Sequence, residues 1–250
     1  MKKRPVFARV TANDKLSEDT YRAKIYCPEI ACRSSAGQFI SILCSDLVLR
    51  RPFSISSSDG ENIHIIYKIK GAGTFYLSEI NPGKQLNIHG PLGSGFNITN
   101  EKALLVGAGV GIAPLIYLSE SLQDKNIDYK LLAGFQTIIN IPELNNDKTI
   151  VITEDGTTTC KGRITEYIDR IIQEFSPQKI YSCGPEIVMK SVVKSAIKHN
   201  IPVETALERK FACGTGVCMG CVVKIKQDGE EINKRICKDG PVFNGRTVVW

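Results

Sequence analysis

Four cysteines near the C-terminus constrain this chain more than any other feature. Cys213, Cys218 and Cys221 follow a C-x4-C-x2-C spacing, and Cys237 follows with fifteen residues between it and the third. Gly214, Gly216 and Gly220 lie between them, so the backbone can fold over a compact inorganic core and aim N–H groups at sulfur. Structural zinc sites usually draw their ligands from repeated C-x2-C pairs, and this spacing does not repeat that unit. It follows the ligand order of plant-type [2Fe–2S] sites, with the last cysteine arriving sooner. A zinc-stabilised binding module without redox activity is the alternative from another functional class.

The remaining five cysteines, Cys27, Cys32, Cys44, Cys160 and Cys183, share no ligand spacing. The chain opens with a basic run but no apolar stretch follows it, so no secretory signal is read there. A cytoplasmic, reducing location is therefore expected, and with it free thiols rather than a disulfide framework. Apolar and charged fractions of 42% and 23% are those of a soluble globular protein. The net charge of +6 comes from scattered lysines and arginines, which gives no support for nucleic-acid binding. The stretch "ALLVGAGVGIAPLIYLS" (103–119) holds three glycines and a proline and reads as strand, loop and helix rather than a membrane span.

Three regions follow. Residues 1–98 alternate as short strands in "PVFARVTAN", "TYRAKIYC", "QFISILC", "FSISSS" and "NIHIIYKI", which predicts a closed antiparallel barrel. Residues 99–205 alternate strand and helix, which predicts a parallel sheet covered on both faces. Residues 206–250 form the cysteine module, with a short hairpin around "QDGEE".

Candidate ligand contacts fall on all three. "VGAGVGIAPL" (106–115) follows a strand and opens a helix, where N–H groups and the helix dipole favour phosphate. Gly107 and Gly109 fit the dinucleotide fingerprint, but Ile112 replaces its third glycine, which falls at Gly111 instead. A tight turn that needs glycine only for packing is an equal reading, and Pro114 suits either. In "RRPFSISSS", Pro52 between Arg51 and Ser54 marks an edge, a bulge or a place where something other than a strand lies alongside. Arg51 could neutralise a diphosphate, or simply be solvated. "GAGT" (71–74) enters a helix and brings Thr74 and nearby N–H groups to a second phosphate-friendly position. Cys183 ends a strand in "CGPEI", at the carboxyl edge where open α/β sheets bind cofactors. His64, His89 and His199 are isolated, and no acid–base set for processing a substrate is visible.

The order "RPFS", "GPLGSGF", "VGAGVGIAPL", "YSCGP", "ERKFACGTGVCMGC" and "CKDGPVF" resembles the ferredoxin–NADP reductase superfamily over essentially the whole chain. Within it, the chain is similar to the electron-transfer subunits of class 1B dihydroorotate dehydrogenases, the NAD-linked enzymes of pyrimidine synthesis. The resemblance implies a Greek-key barrel holding FAD, with Arg51, Pro52, Phe53 and Ser54 as the flavin-binding strand. It also implies Ile66, Tyr67 and Lys68 along the isoalloxazine, and Gly73 and Thr74 at the diphosphate. NAD(H) would be lined by Gly107, Gly109, Gly111, Pro114, Cys183, Gly184 and Pro185. Cys213, Cys218, Cys221 and Cys237 would ligate the cluster. The family commonly has tyrosine where Phe53 stands, so that hydroxyl contact is lost. Trp250 follows a cluster module, and the flavin-stacking role of a terminal aromatic residue is not carried over to it. The implied partner is an FMN-containing catalytic subunit, two of each forming a heterotetramer, with electrons passing from FMN through cluster and FAD to NAD⁺. No basic residues follow "LLAGF" to hold a 2′-phosphate, which favours NAD over NADP. The same layout serves a sulfide dehydrogenase subunit or an NADH-dependent ferredoxin–NADP oxidoreductase.

Overall fold

Alternating apolar side chains in the first hundred residues close one sheet on itself. A computed structural model describes residues 4–45 and 47–250; residues 1–3, which carry the basic opening, lie outside the described residues. The strands are β1 (Val6–Lys15), β2 (Thr20–Tyr26), β3 (Phe39–Leu43), β4 (Arg51–Ser58), β5 (Asn62–Lys68) and β6 (Gln85–Leu92). One helical turn, α1 (Pro28–Ala31), precedes β3, and α2 (Ala72–Ser78) follows β5. The closed order is β1-β2-β5-β4-β3-β6. Its interior is filled by Ile25, Ile40, Ile42, Ile55, Ile63, Ile65 and Ile88, all fully buried. β-branched side chains suit such a half-buried pleat. β6 is not evident in the sequence because Gly90 and Pro91 interrupt it and read as a turn.

The second region is built from β7 (Ala103–Ala108), α3 (Ala113–Asp124), β8 (Tyr129–Phe135), β9 (Thr149–Thr153), β10 (Cys160–Lys161), α4 (Ile164–Phe175), β11 (Lys179–Cys183), α5 (Glu186–Lys198) and β12 (Val203–Ala206). Strand β7 shows why both sheet faces are covered. Leu105 packs into the core beneath α3, while Leu104 and Val106 join Ile168, Ile172 and Val192 from α4 and α5. The segment 103–119 divides into β7, a 3-10 turn and α3, and no helix among the described residues is long and apolar enough to cross a membrane.

The last region contains β13 (Val222–Gln227), β14 (Glu230–Arg235), α6 (Ile236–Asp239) and β15 (Val242–Asn244). Asp228 and Gly229 turn the hairpin with positive φ of 52° and 87°, the geometry a two-residue loop needs. This region is not free-standing. β15 adds antiparallel to β12, completing a sheet of order β10-β9-β8-β7-β11-β12-β15. Trp250 packs against the core beneath α4 and α5 and against the hairpin core, a structural position.

The barrel and the α/β region meet along β4 and α3. Arg22 on β2 pairs with Glu143 at 2.5 Å, and the Ser57 hydroxyl bonds to Glu120 of α3. Burial holds the Glu120 carboxyl above its ordinary range, against that bond. A raised carboxyl pKa in the fold means that ionisation costs stability, fully so above the raised value and not at all below the unfolded one. Glu120→Gln is therefore expected to raise the apparent Tm at pH 8 by about 2 °C and to change nothing near pH 4, measured by thermal unfolding at both.

Candidate functional site

The cysteine segment folds as two pairs of thiols. The N–H groups of Thr215 and Cys218 both donate to Cys213 Sγ at 3.4 Å, and Gly220 N–H donates to Cys218 Sγ at 3.4 Å. Across the module, Cys237 N–H donates to Cys221 Sγ at 3.4 Å. Cys213 and Cys218 lie on a loop at the surface, whereas Cys221 and Cys237 are buried. Although burial opposes it, these N–H donors pull the Cys213 thiol below its ordinary range; burial and the adjacent Cys221 push Cys237 up. Two and two is the division a pair of bridged irons requires, and the N–H···S bonds are of the kind that tune such a centre.

The module is seated on the barrel. Cys221 and Cys237 share a core with Phe39 and Leu92 of the barrel, and Phe39 meets Phe211 edge to face at 5.3 Å. The "GPLGSGF" and "CKDGPVF" segments touch each other. Ser94 N–H donates to Gly240 O at 2.7 Å, and a Cβ at Gly93 would lie 2.5 Å from Pro241 Cδ.

On the barrel, β4 and β5 part company. Their ladder runs only from Ser58↔Ile63 to Ile55↔Ile65. Below it, Arg51–Ser54 stay on β3, while Ile66–Lys68 stay on β2. The facing edges of these two segments are left without strand partners, and Pro52 suits that edge because it has no N–H to satisfy. Arg51 lies over the first turn of α2, where a Cβ at Gly73 would come 2.9 Å from its Cγ. Its neighbour Arg50 is instead tied to the backbone of Ser41 and Asn87, a staple across β3 and β6.

Several of these side chains are engaged within the protein itself. The Tyr67 ring faces the barrel interior, 2% exposed, with its hydroxyl donating to Asn13 Oδ1 at 2.9 Å. Ile66 points the other way but is covered by the α/β core, and Lys68 pairs with Asp19 at 2.7 Å. Phe53 is buried edge to face against Tyr67. So the backbones of these segments, with Ser54 on the outer face, are what a flat ring could meet. The Thr74 hydroxyl is also committed, accepting from Lys70 N–H at 2.8 Å and donating to Gly71 O at 3.0 Å. It closes the start of α2.

The glycine loop and the "CGP" turn are in direct contact. A Cβ at Gly111 would lie 2.6 Å from Gly184 Cα, and one at Gly107 would strike Ile112. Both glycines are therefore demanded by packing. Gly109, with φ of 56° and open space beside it, is the loop position that leaves room for a ligand. Pro114 is buried at the start of α3 and offers almost no surface, while Pro185 is exposed at the start of α5. Burial, with Glu208 nearby, pushes the Cys183 thiol up to about 12, so it is neutral at physiological pH.

The family model for the iron–sulfur cluster binding domain of dihydroorotate dehydrogenase B matches residues 208–249. The dihydroorotate dehydrogenase B (NAD(+)) electron transfer subunit of Caldanaerobacter subterraneus subsp. tengcongensis is 35% identical, covering 97% of this chain and 98% of the relative. The subunit of the same name from Clostridium acetobutylicum is 35% identical over 100% of this chain and 99% of its own length. The chain belongs to this family of electron transfer subunits. Among solved structures, an NADH-dependent reduced ferredoxin–NADP oxidoreductase superposes with a TM-score of 0.88 at 28% identity, covering 98% of this chain and 90% of the other. A ferredoxin reductase of carbazole 1,9a-dioxygenase shares the fold, with a TM-score of 0.69 at 22% identity, over 82% of this chain and 69% of its own.

The sequence did not reveal the Gly93–Gly240 joint, nor Arg235, whose guanidinium reaches the cysteine loop. The first had a signal in the Gly-Pro pairs of the two segments; the second sits in a charged strand with no motif around it.

Proposed function

We propose that this chain is the electron transfer subunit of an NAD-linked dihydroorotate dehydrogenase, acting in pyrimidine synthesis. It joins an FMN-containing catalytic subunit, two of each in a heterotetramer, in the cytoplasm. The two-and-two arrangement of Cys213, Cys218, Cys221 and Cys237, on a module seated against a split flavin-type barrel, is the observation that carries the reading. When bound, the cluster supplies one-electron transfer and the flavin couples single electrons to two-electron hydride exchange with nicotinamide.

The chain's own residues position these groups. Residues 1–98 hold FAD: the Arg51–Ser54 and Ile66–Lys68 backbones border the ring, and Arg51 with Gly73 and the Thr74 N–H faces the diphosphate. Residues 99–205 take NAD(H) at Gly109, beside Cys183, Gly184 and Pro185, with Gly107, Gly111 and Pro114 shaping the loop from behind. Residues 206–250 carry the cluster. A neutral Cys183 thiol adds no charge where nicotinamide would bind.

A second reading, a subunit of an NADH-dependent ferredoxin–NADP oxidoreductase, is favoured by the 0.88 structural match. Co-expression with an FMN-bearing dihydroorotate dehydrogenase subunit decides between them. Co-purification in equal amounts and dihydroorotate-dependent NAD⁺ reduction are expected. Reduction of NAD⁺ by NADPH only when oxidised ferredoxin is present to take the remaining electrons, and none with dihydroorotate, would favour the second reading.

A further inference from the structure

We infer that Arg235 is a positioning residue that sets the geometry, and through it the reduction potential, of the cluster site; the inference rests on the cluster reading above. Arg235 ends β14, immediately before the short helix that carries Cys237. Its guanidinium spans the module. Nη1 donates to the carbonyl of Gly216 at 2.8 Å, and Nε donates to Asp239 Oδ2 at 3.1 Å. Asp239 also accepts from the Arg235 backbone N–H at 2.8 Å, so the fork is anchored on α6 itself. Both side chains are about three-quarters buried, with 25% and 24% of their surface exposed.

Gly216 is the midpoint of the loop between Cys213 and Cys218. It has φ of 84°, and the aliphatic stem of Lys238 lies where a Cβ would be, at 2.7–3.1 Å. With its carbonyl held outward by Arg235, the same turn aims the N–H groups of Thr215 and Cys218 inward at Cys213 Sγ. On the other side, Ile236 N–H donates to Cys221 O at 3.0 Å, and Cys237 N–H to Cys221 Sγ. A single guanidinium thus ties the loop bearing one thiol pair to the helix bearing half of the other. Its planar fork holds two acceptors at once in a fixed relative geometry, which an ammonium group with rotatable donors on a flexible stem does not impose. N–H donors to sulfur stabilise the reduced, more negative cluster and raise its potential. Releasing the Gly216 carbonyl loosens those donors.

The test is an EPR-monitored redox titration of the full chain with both cofactors, comparing wild type, Arg235→Gln, Arg235→Lys and Asp239→Asn, with iron and FAD counted on each sample. Unchanged FAD content shows that the fold is retained. Arg235→Gln is expected to shift the one-electron equilibrium about tenfold toward the oxidised cluster, a fall of about 59 mV. Arg235→Lys is expected to fall comparably, because it keeps the charge but not the fork. Full recovery in Arg235→Lys would mean that Arg235 acts as a through-space charge, and would overturn the positioning role. An unchanged potential and iron content in Arg235→Gln would overturn it as well. If Arg235→Gln retains FAD but takes up no iron, Asp239→Asn decides: a lowered potential supports the role and an unchanged one contradicts it. A wild-type chain with no [2Fe–2S] signal at all would instead defeat the cluster reading beneath it.

Discussion

Replacing Cys218 with serine is expected to remove the cluster and cut the chain's link to its partner while leaving its flavin chemistry in place. Cys218 is one sulfur of the surface pair and orders the loop, with its N–H on Cys213 Sγ and its own sulfur accepting from Gly220 N–H. Loss of hydrogen bonds around a metal ligand already weakens metal binding by about 10–100-fold, so loss of a ligand should exceed about 100-fold. Cluster absorbance and the EPR signal of the reduced centre should disappear, and dihydroorotate-dependent NAD⁺ reduction should fall by more than about 100-fold. NADH-to-dye activity through FAD should stay within about twofold, since the barrel split and the glycine loop lie on other elements. Cys32→Ser, at an exposed cysteine outside the module, is the control and should change none of these. Loss of dye activity together with the cluster would show that the module also holds the flavin domain in shape.

The second large effect is expected at Gly93. Its φ of 74° is a conformation that side chains with a Cβ resist, at a cost of roughly 1–2 kcal/mol. A Cβ there would also lie 2.5 Å from Pro241 Cδ and 2.6 Å from Gly240 O, at the joint between barrel and cluster module. Overpacking of that kind costs about 1–3 kcal/mol more. Gly93→Val should therefore lower the apparent Tm of the holo-protein by at least about 6 °C, with loss of iron before loss of FAD on heating. Gly60→Ala separates strain from collision, because Gly60 has φ of 89° and nothing within 4 Å. A fall at Gly60 as large as at Gly93 would show that the joint itself contributes little.

Much of this architecture was legible because its signals are local. The barrel strands alternate visibly, and the isoleucines that alternate are the ones that fill the interior. The cysteine spacing is equally local, since it reflects how one loop wraps a small inorganic core. What stayed hidden depends on closure. Whether Ile66 or Tyr67 faces a ligand is a question of parity, and a shift of one residue reverses it. Only the closed barrel shows Tyr67 turned inward and Ile66 covered by the neighbouring core. β12 and β15 are four and three residues long, too short for a period to show, yet they join the cluster module to the nucleotide-type sheet. The two readings of the glycine loop need its packing to be seen: Gly107 and Gly111 are required by close contacts, whereas Gly109 has open space beside it. Arg235 had no signature because its acceptor is a backbone carbonyl nineteen residues away.

A single purified sample distinguishes a redox chain from a zinc-stabilised one. The purified chain is scanned in the visible range under anaerobic conditions before and after NADH, with iron, zinc and flavin counted on the same material. Two irons and one FAD per chain are expected, with no zinc. NADH should bleach the flavin bands and give an EPR signal from a reduced [2Fe–2S] centre. A colourless protein carrying one zinc, unchanged by NADH, would contradict the redox reading.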